Sequence, residues 1–388
     1  MNKFDFIDHA LEDRHARHLF RRFRSIAPET GPMVSLDGKL VLNCCSNDYL
    51  GLSKHPLLRE RAAEFMDKFG AGATASRHIC GNLSCFDGIE KKLADLKGSP
   101  SALIMNAGYQ TNIALLSTLA DRDSLILSDW LNHNSLIRGA LLARCRVERF
   151  RHNDLAHLAQ LLTQSRKKAY SRVLIVTESV FSMDGDRCDV DALIELANAF
   201  NAILYMDEAH ATGVFGVRGM GLTAGKKVDV VMGTFSKGCG AYGAYVTCSE
   251  KIRDYLINCC HGLIFTTALP PAVLGSIDAA LDLVPQMDAE RAQLSAHADY
   301  LRNALLKMGW QTGASTTQIV PVVIGGEEET MALSAFLENR GIMATGIRPP
   351  TVEAGQSRIR LTLTALHTRQ QAQQVIDAFK AWSEQHGR

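Results

Sequence analysis

Between residues 86 and 247, apolar runs and amphipathic stretches take turns along the chain. The runs ALIMN (102–106), SLILSD (124–129), CRVERF (145–150), RVLIVTES (172–179), AILYMDEAH (202–210) and VDVVMGTFSK (228–237) read as strands. The stretches near 86–97, 110–120, 134–143, 154–163 and 189–200 carry helical spacing. Strands that are apolar almost throughout are buried on both faces, so the pattern predicts an α/β fold with a doubly wound, mostly parallel sheet. The run GAYVT (243–247) follows its predecessor too closely for a parallel crossover of about a dozen residues, and one antiparallel pair is predicted there.

The flanks read differently. Residues 4–24 suggest an amphipathic helix, with Phe6, Ala10, Leu11 and Leu19 on one face and Arg14, Arg17, Arg21, Arg22 and Arg24 around the other. A hairpin follows, MVSL and KLVLNCC joined at Asp37-Gly38. A helical pattern covers 56–70, and a long helical region spans 270–308 after Pro270-Pro271. The remainder mixes strands (319–324, 358–364) with helices (329–340, 368–385). Three segments are expected: an N-terminal helix and hairpin (1–45), a large domain (46–285) and a smaller α+β C-terminal domain (286–388).

Ligands of an open parallel sheet bind at the carboxyl ends of its strands. Those ends carry Gly108-Tyr109, His133, Glu178 with Ser182, Asp207 with His210, and Thr234 with Lys237. Each has an ordinary reading by itself: a loop lysine, a capped loop histidine, an acidic helix cap, a core tyrosine. Their convergence is harder to explain that way. A lysine after a buried strand, a strand-end acid and an imidazole fit pyridoxal 5′-phosphate. The amine condenses with its aldehyde, and the acid pairs with the ring nitrogen and keeps the ring an electron sink. His133 is the candidate for stacking on the ring. Backbone N–H groups at Gly108-Tyr109 suit the phosphate, and the Ser182 and Thr234 hydroxyls suit further contacts. Residues 207–210 also spell a DEAH box, but the P-loop that such ATPases need is missing from the sequence. A metal site from His133, Asp207 and His210 lacks a recognised spacing, so no metal is expected.

The 388 residues are 46% hydrophobic, and 42 basic against 41 acidic side chains leave a formal charge of +1. That balance gives no field for nucleic acid or an anionic membrane. No apolar segment approaches the roughly 20 residues of a membrane span. The start, MNKFDFIDHALED, is interrupted by acids, so no signal peptide is expected. The ten cysteines include no C-x-x-C pair and read as reduced thiols in a cytoplasmic protein.

The stretches SNDYLGL (46–52), TESVFSMDGD (177–186), MDEAHATGVFG (206–216), GTFSKGCG (233–240) and IRPPTVEAGQSRIRLTLTA (347–365), with the His133 turn, resemble the α-oxoamine synthase family of pyridoxal-phosphate enzymes over essentially the whole chain. The resemblance implies the fold type I, aspartate aminotransferase-like architecture of such transferases. It also implies Lys237 as the Schiff-base lysine, Asp207 as partner of the ring nitrogen, His133 as the stacking residue and His210 as partner of the phenolic oxygen. Gly108, Tyr109, Ser182 and Thr234 become further cofactor contacts, and Arg360 holds the amino-acid carboxylate. Within the family, Arg348-Pro349-Pro350-Thr351 resembles the branch that condenses L-alanine with a pimeloyl thioester, on coenzyme A or acyl carrier protein. Thr351 and His133 would then touch substrate, and Arg21 would meet the distal carboxylate. The family forms homodimers with the site at the interface, so Thr266 and Thr267 would reach the partner's phosphate. Ser236, Glu353 and the loop GAGATASRH depart from the common pattern. Other α-oxoamine synthases and a pyridoxal-phosphate aminotransferase are the alternatives.

Overall fold

The computed structural model describes residues 2–387. The chain forms two compact units, one of residues 48–182 and 187–291, the other of 1–47, 183–186 and 292–388.

The first unit is built on a seven-stranded sheet. Across it run Ser101–Met105, Ala244–Cys248, Val230–Thr234, Ile203–Asp207, Val173–Glu178, Leu125–Asp129 and Arg146–Phe150. The last five are mutually parallel, while Ala244–Cys248 runs antiparallel to both its neighbours. The expected antiparallel strand is therefore present and sits inside the sheet. The connection from Thr234 back to Ala244 is held by Phe235 N donating to Gly243 O, too tight for a crossover helix. Central strands such as Val230–Thr234 and Ala244–Cys248 are buried along their whole length, as their apolar runs require. Helices cover both faces, packing Leu115, Leu116 and Leu136 on one side and Leu158, Leu162 and Leu193 on the other. Side-chain caps place several starts: Asp154 accepts from His157 N, Asp189 from Ala192 N and Ser249 from Ile252 N.

Gly233 has a steric reason. A Cβ there would lie 2.2 Å from the ring of Tyr245, so only glycine lets the buried tyrosine cross beneath the strand that leads to Lys237.

The loop GAGATASRH ends in a wide helical turn, Arg77–Gly81. Its arginine is ion-paired with Glu90 and lies over the Phe86 ring at 4.1 Å. These two contacts pin the end of the loop to the helix Cys85–Lys97.

The other unit holds a sheet of Ile26–Pro28, Met33–Leu36, Lys39–Asn43 and Ile342–Met343, and a three-stranded sheet of Ile319–Gly325, Ser357–Thr362 and Thr345–Ile347. The hairpin turns at Asp37 (φ 49°) and Gly38 (φ 85°), the paired left-handed conformation of a type I′ turn. Helices Glu327–Asn339 and Arg369–His386 belong to this unit, the second opened by a reciprocal capping box between Thr368 and Gln371.

Two expected helices are corrected. The first spans Asp5–Ala16, not 4–24, and buries none of its residues. His18 N donates to His15 O and Leu19 N to Arg14 O around a left-handed His18, a Schellman ending built without glycine. Phe6 and Leu11 are exposed while Leu19 is buried beyond the helix, so they share no face. The region 270–308 is two helices, Pro271–Leu283 and Asp288–Lys307, separated by a short turn at Val284–Gln286. Pro285 offers no N–H to continue the first. The segment after Cys248, unassigned by pattern, forms the helices Glu250–Cys259 and His261–Ile264.

Candidate active site

A cavity of about 210 Å³ opens at the carboxyl ends of the parallel strands in the first unit. Gly108, Tyr109, His133, Asp207, Thr234 and Lys237 line it, with His210 beside them. Seven of the sequence-predicted site residues thus meet around one space. Ser182 is buried near the end of the same stretch of chain but is not among the lining residues. Arg21, Thr351 and Arg360 belong to the other unit.

Asp207 ends its strand in register with Glu178 on the next. Its Oδ2 accepts from Asn112 Nδ2 at 2.7 Å and its Oδ1 from Ala209 N at 2.8 Å. Two N–H donors on two oxygens suit the carboxylate form. Asn112 stands one turn into the helix Gly108–Leu119, where its side chain also donates to Ser135 Oγ and accepts from the buried Tyr205 hydroxyl at 2.6 Å. Ser135 Oγ in turn lies 2.8 Å from His133 Nδ1. Asp207 and His133 are therefore joined through Asn112 and Ser135. Burial pushes the His133 imidazole below its usual pKa, and the Lys237 ammonium pushes the same way against the raising pull of Asp207. A neutral ring results at physiological pH, apolar enough to face another ring and still able to offer one N–H.

Lys237 Nζ lies 2.9 Å from His210 Nε2, and His210 Nδ1 lies 2.5 Å from the hydroxyl of fully buried Tyr49. When the ammonium donates to Nε2, Nδ1 must carry the ring hydrogen and donate to Tyr49 Oη. The histidine tautomer is thus tied to the proton state of the lysine. Thr234 Oγ1 contacts Ser236 Oγ at 2.7 Å and donates to Gly243 O at 2.8 Å, so the residue that departs from the family pattern, Ser236, is joined to this turn.

Glu208, between Asp207 and His210, faces away from this chemistry. With Lys97 it forms an ion pair whose side chains are almost wholly shielded from solvent. Lys97 Nζ also donates to Met220 O at 2.7 Å and Thr223 Oγ1 at 3.1 Å, and Thr223 N donates to Glu208 Oε1 at 2.9 Å. The DEAH letters therefore divide into three cavity residues, Asp207, Ala209 and His210, and one structural anchor, Glu208. Lys97→Ala removes the counter-ion of buried Glu208, and denaturant unfolding should show a loss of about 3–5 kcal/mol.

Strand ends alone do not reveal Tyr49, Asn112 or Ser135. The sequence marks them only by the stretch SNDYLGL, which holds Tyr49, and by an asparagine near the start of an otherwise apolar helix.

In the other unit, Arg360 is buried on the strand Ser357–Thr362 and donates to Thr362 Oγ1 at 2.9 Å and Asn47 Oδ1 at 3.2 Å. Arg21 Nη2 donates to Pro349 O at 3.3 Å, and Thr351 N to Arg348 O at 3.1 Å. Arg348 donates to His18 O while its Nε is buried without a partner.

An amine, a carboxylate and a desolvated imidazole around one cavity fit a planar aldehyde with a ring nitrogen. The first N–H groups of Gly108–Leu119, which no side chain caps, fit its anionic group. A family model described as aminotransferase class I and II matches residues 39–379. The chain belongs to the class I and II aminotransferase family. It is 47% identical over 397 residues to an 8-amino-7-oxononanoate synthase of Gluconacetobacter diazotrophicus, covering 100% of this chain and 99% of the relative. Among solved structures, a serine palmitoyltransferase variant from S. paucimobilis with bound PLP–myriocin aldimine superposes with a TM-score of 0.92 at 27% identity, over 99% of this chain and 98% of that one. An 8-amino-7-oxononanoate synthase from Francisella tularensis does so with a TM-score of 0.77 at 25% identity, over 90% and 99%. These neighbours establish the fold type I α/β architecture that the resemblance implied.

Proposed function

We propose that the protein is a pyridoxal-phosphate-dependent acyltransferase, an 8-amino-7-oxononanoate synthase acting in biotin biosynthesis. It condenses L-alanine with a pimeloyl thioester and releases CO2 and free thiol. Full-length identity of 47% to a synthase of that name carries the assignment. The higher TM-score to a serine palmitoyltransferase reflects a shared fold at 27% identity and does not outweigh it.

Lys237, Asp207, His133, His210, Thr234, Ser182 and the Gly108-Tyr109 backbone are the residues proposed to hold the cofactor. Pyridoxal phosphate held there would supply an aldehyde for the amino group of alanine and a ring that withdraws electrons from its α-carbon. Lys237 first anchors the cofactor and then takes the α-proton on Nζ. Its contact with His210 supports that role, since Tyr49 and His210 supply a hydrogen-bonded path that responds to the lysine's charge. Asp207 keeps a negative charge beside the ring nitrogen. His133 covers the ring and donates to the thioester oxygen.

Arg360 is proposed for the alanine carboxylate, and its bond to Asn47 supports this by orienting the guanidinium. Arg21 and Thr351 are proposed at the distal end of the acyl chain. The unpartnered Arg348 Nε supports an anion site there, and burial, with the Arg21 charge adding to it, pushes the Arg348 pKa down. A cytoplasmic homodimer with Thr266 and Thr267 reaching across, and a functional division at 1–45, 46–285 and 286–388, complete the proposal. Among the described residues, no helix is long and apolar enough to cross a membrane.

The purified protein, incubated with L-alanine and pimeloyl thioester, should yield 8-amino-7-oxononanoate with one CO2 and one thiol per turnover. Keto acid formed from alanine without thioester consumption would refute the reading in favour of an aminotransferase.

A further inference from the structure

Glu178 is a second carboxyl at the cavity that the mechanism above does not use. It ends the strand Val173–Glu178 directly opposite Asp207, is 3% exposed and lines the cavity with Lys237. Its Oε1 accepts the backbone N–H of His133 at 2.6 Å. That N–H lies at the cap of the helix Asn134–Leu142, so the bond fixes where the His133 ring enters the cavity. Two ionised carboxylates side by side at adjacent strand ends, both buried, repel strongly. Asp207 has a donor on each oxygen and Glu178 one donor in all, so the charge settles on Asp207.

We propose that Glu178 is a positioning residue that works as a neutral carboxylic acid: one oxygen holds the His133 turn, and its proton leaves the negative charge to Asp207. The reading rests on the proposed cofactor only where it concerns ring binding. The groups facing Glu178 are Asp207 on one neighbouring strand, Asp129 at the end of the strand on its other side, Lys237 across the cavity and the His133 turn. Burial first, then Asp207 and Asp129, raise its carboxyl well above the usual range, while the His133 N–H and Lys237 pull it down without reversing the sign.

The linkage follows from the raised value. A carboxyl held protonated in the fold contributes stability that is complete below the unfolded value of about 4.3. That contribution is lost as pH climbs toward the folded value. Glutamine has no proton to lose. Thermal and denaturant unfolding of the holoenzyme should therefore show Glu178→Gln gaining on wild type as pH rises from about 5 to about 8, by up to tenfold in the folding equilibrium per pH unit. A difference that stays constant over that range overturns the neutral-acid assignment. Infrared spectra of wild type labelled with 13C-glutamate give a second readout that needs no variant. An isotope-sensitive carboxylic-acid C=O band should persist at neutral pH, and its absence overturns the assignment too.

Positioning has its own readout. Glu178→Ala should weaken pyridoxal phosphate binding about five- to tenfold by freeing the His133 turn, and Glu178→Gln should restore it. If the glutamine variant binds as weakly as the alanine one, the positioning role is overturned. Failure of wild type to bind pyridoxal phosphate would instead count against the proposed function, and the stability and infrared measurements would still report on Glu178.

Discussion

Lys237→Ala is expected to lower turnover by at least about 10³-fold and to abolish covalent trapping of the cofactor by borohydride. Both effects come from one atom, Nζ. The position gives that atom two restraints that a surface lysine lacks. The strand Val230–Thr234 beneath it is buried throughout, and Gly233 lets the chain lie against Tyr245 without a clash. Nζ then meets His210 Nε2 at 2.9 Å, inside a cavity whose other walls are His133 and Asp207. An alanine there opens space but leaves the strand, Thr234 and Asp207 unaltered, so the variant should fold with the wild-type thermal midpoint. Pyridoxal phosphate would still bind noncovalently through the remaining contacts. Borohydride treatment followed by mass measurement separates the possibilities. A cofactor mass fixed to Lys237→Ala would move the anchor to another residue and refute the assignment.

The stretch around Lys237 shows why much of the fold could be read from sequence. Parallel strands must be apolar along both faces, so their runs stand out, and their last residues point to the ligand by topology alone. Asp207, Thr234 and Lys237 were legible for that reason. Tyr49, Asn112 and Ser135 act on the same groups but come from a turn and from helix starts. A polar side chain there has many ordinary uses, and only its partner in space distinguishes them. Glu208 shows the converse, a charged residue between two site residues whose partner, Lys97, is distant in sequence. The overlong first helix has a different cause. Its arginines continue the amphipathic pattern past Ala16, but His18 adopts a left-handed conformation more typical of glycine, a stop that composition does not announce.

Asp207→Asn should keep the fold and the borohydride linkage yet slow exchange of the α-hydrogen of L-alanine by about 10²–10³-fold. The substitution is close to isosteric, and the amide oxygen can still accept from Asn112 or Ala209. It deletes the negative charge that faces the ring nitrogen in the proposed complex. With Lys237 intact, the proton-accepting amine remains in place, so slowed deuterium exchange isolates the contribution of the carboxylate. Two neighbours should respond in directions the geometry fixes. His133 loses the Asp207 charge that raises its pKa, and its ring should be harder still to protonate. Glu178 loses the repulsion of a charged neighbour while its burial remains, so its proton should come off at lower pH than in wild type. In Asp207→Asn, then, the carboxylic-acid band of Glu178 should titrate away earlier as pH is raised. Wild-type exchange rates in this variant would remove Asp207 from the electron-withdrawing role. An unshifted Glu178 titration would show that the two strand-end carboxyls do not share one charge between them.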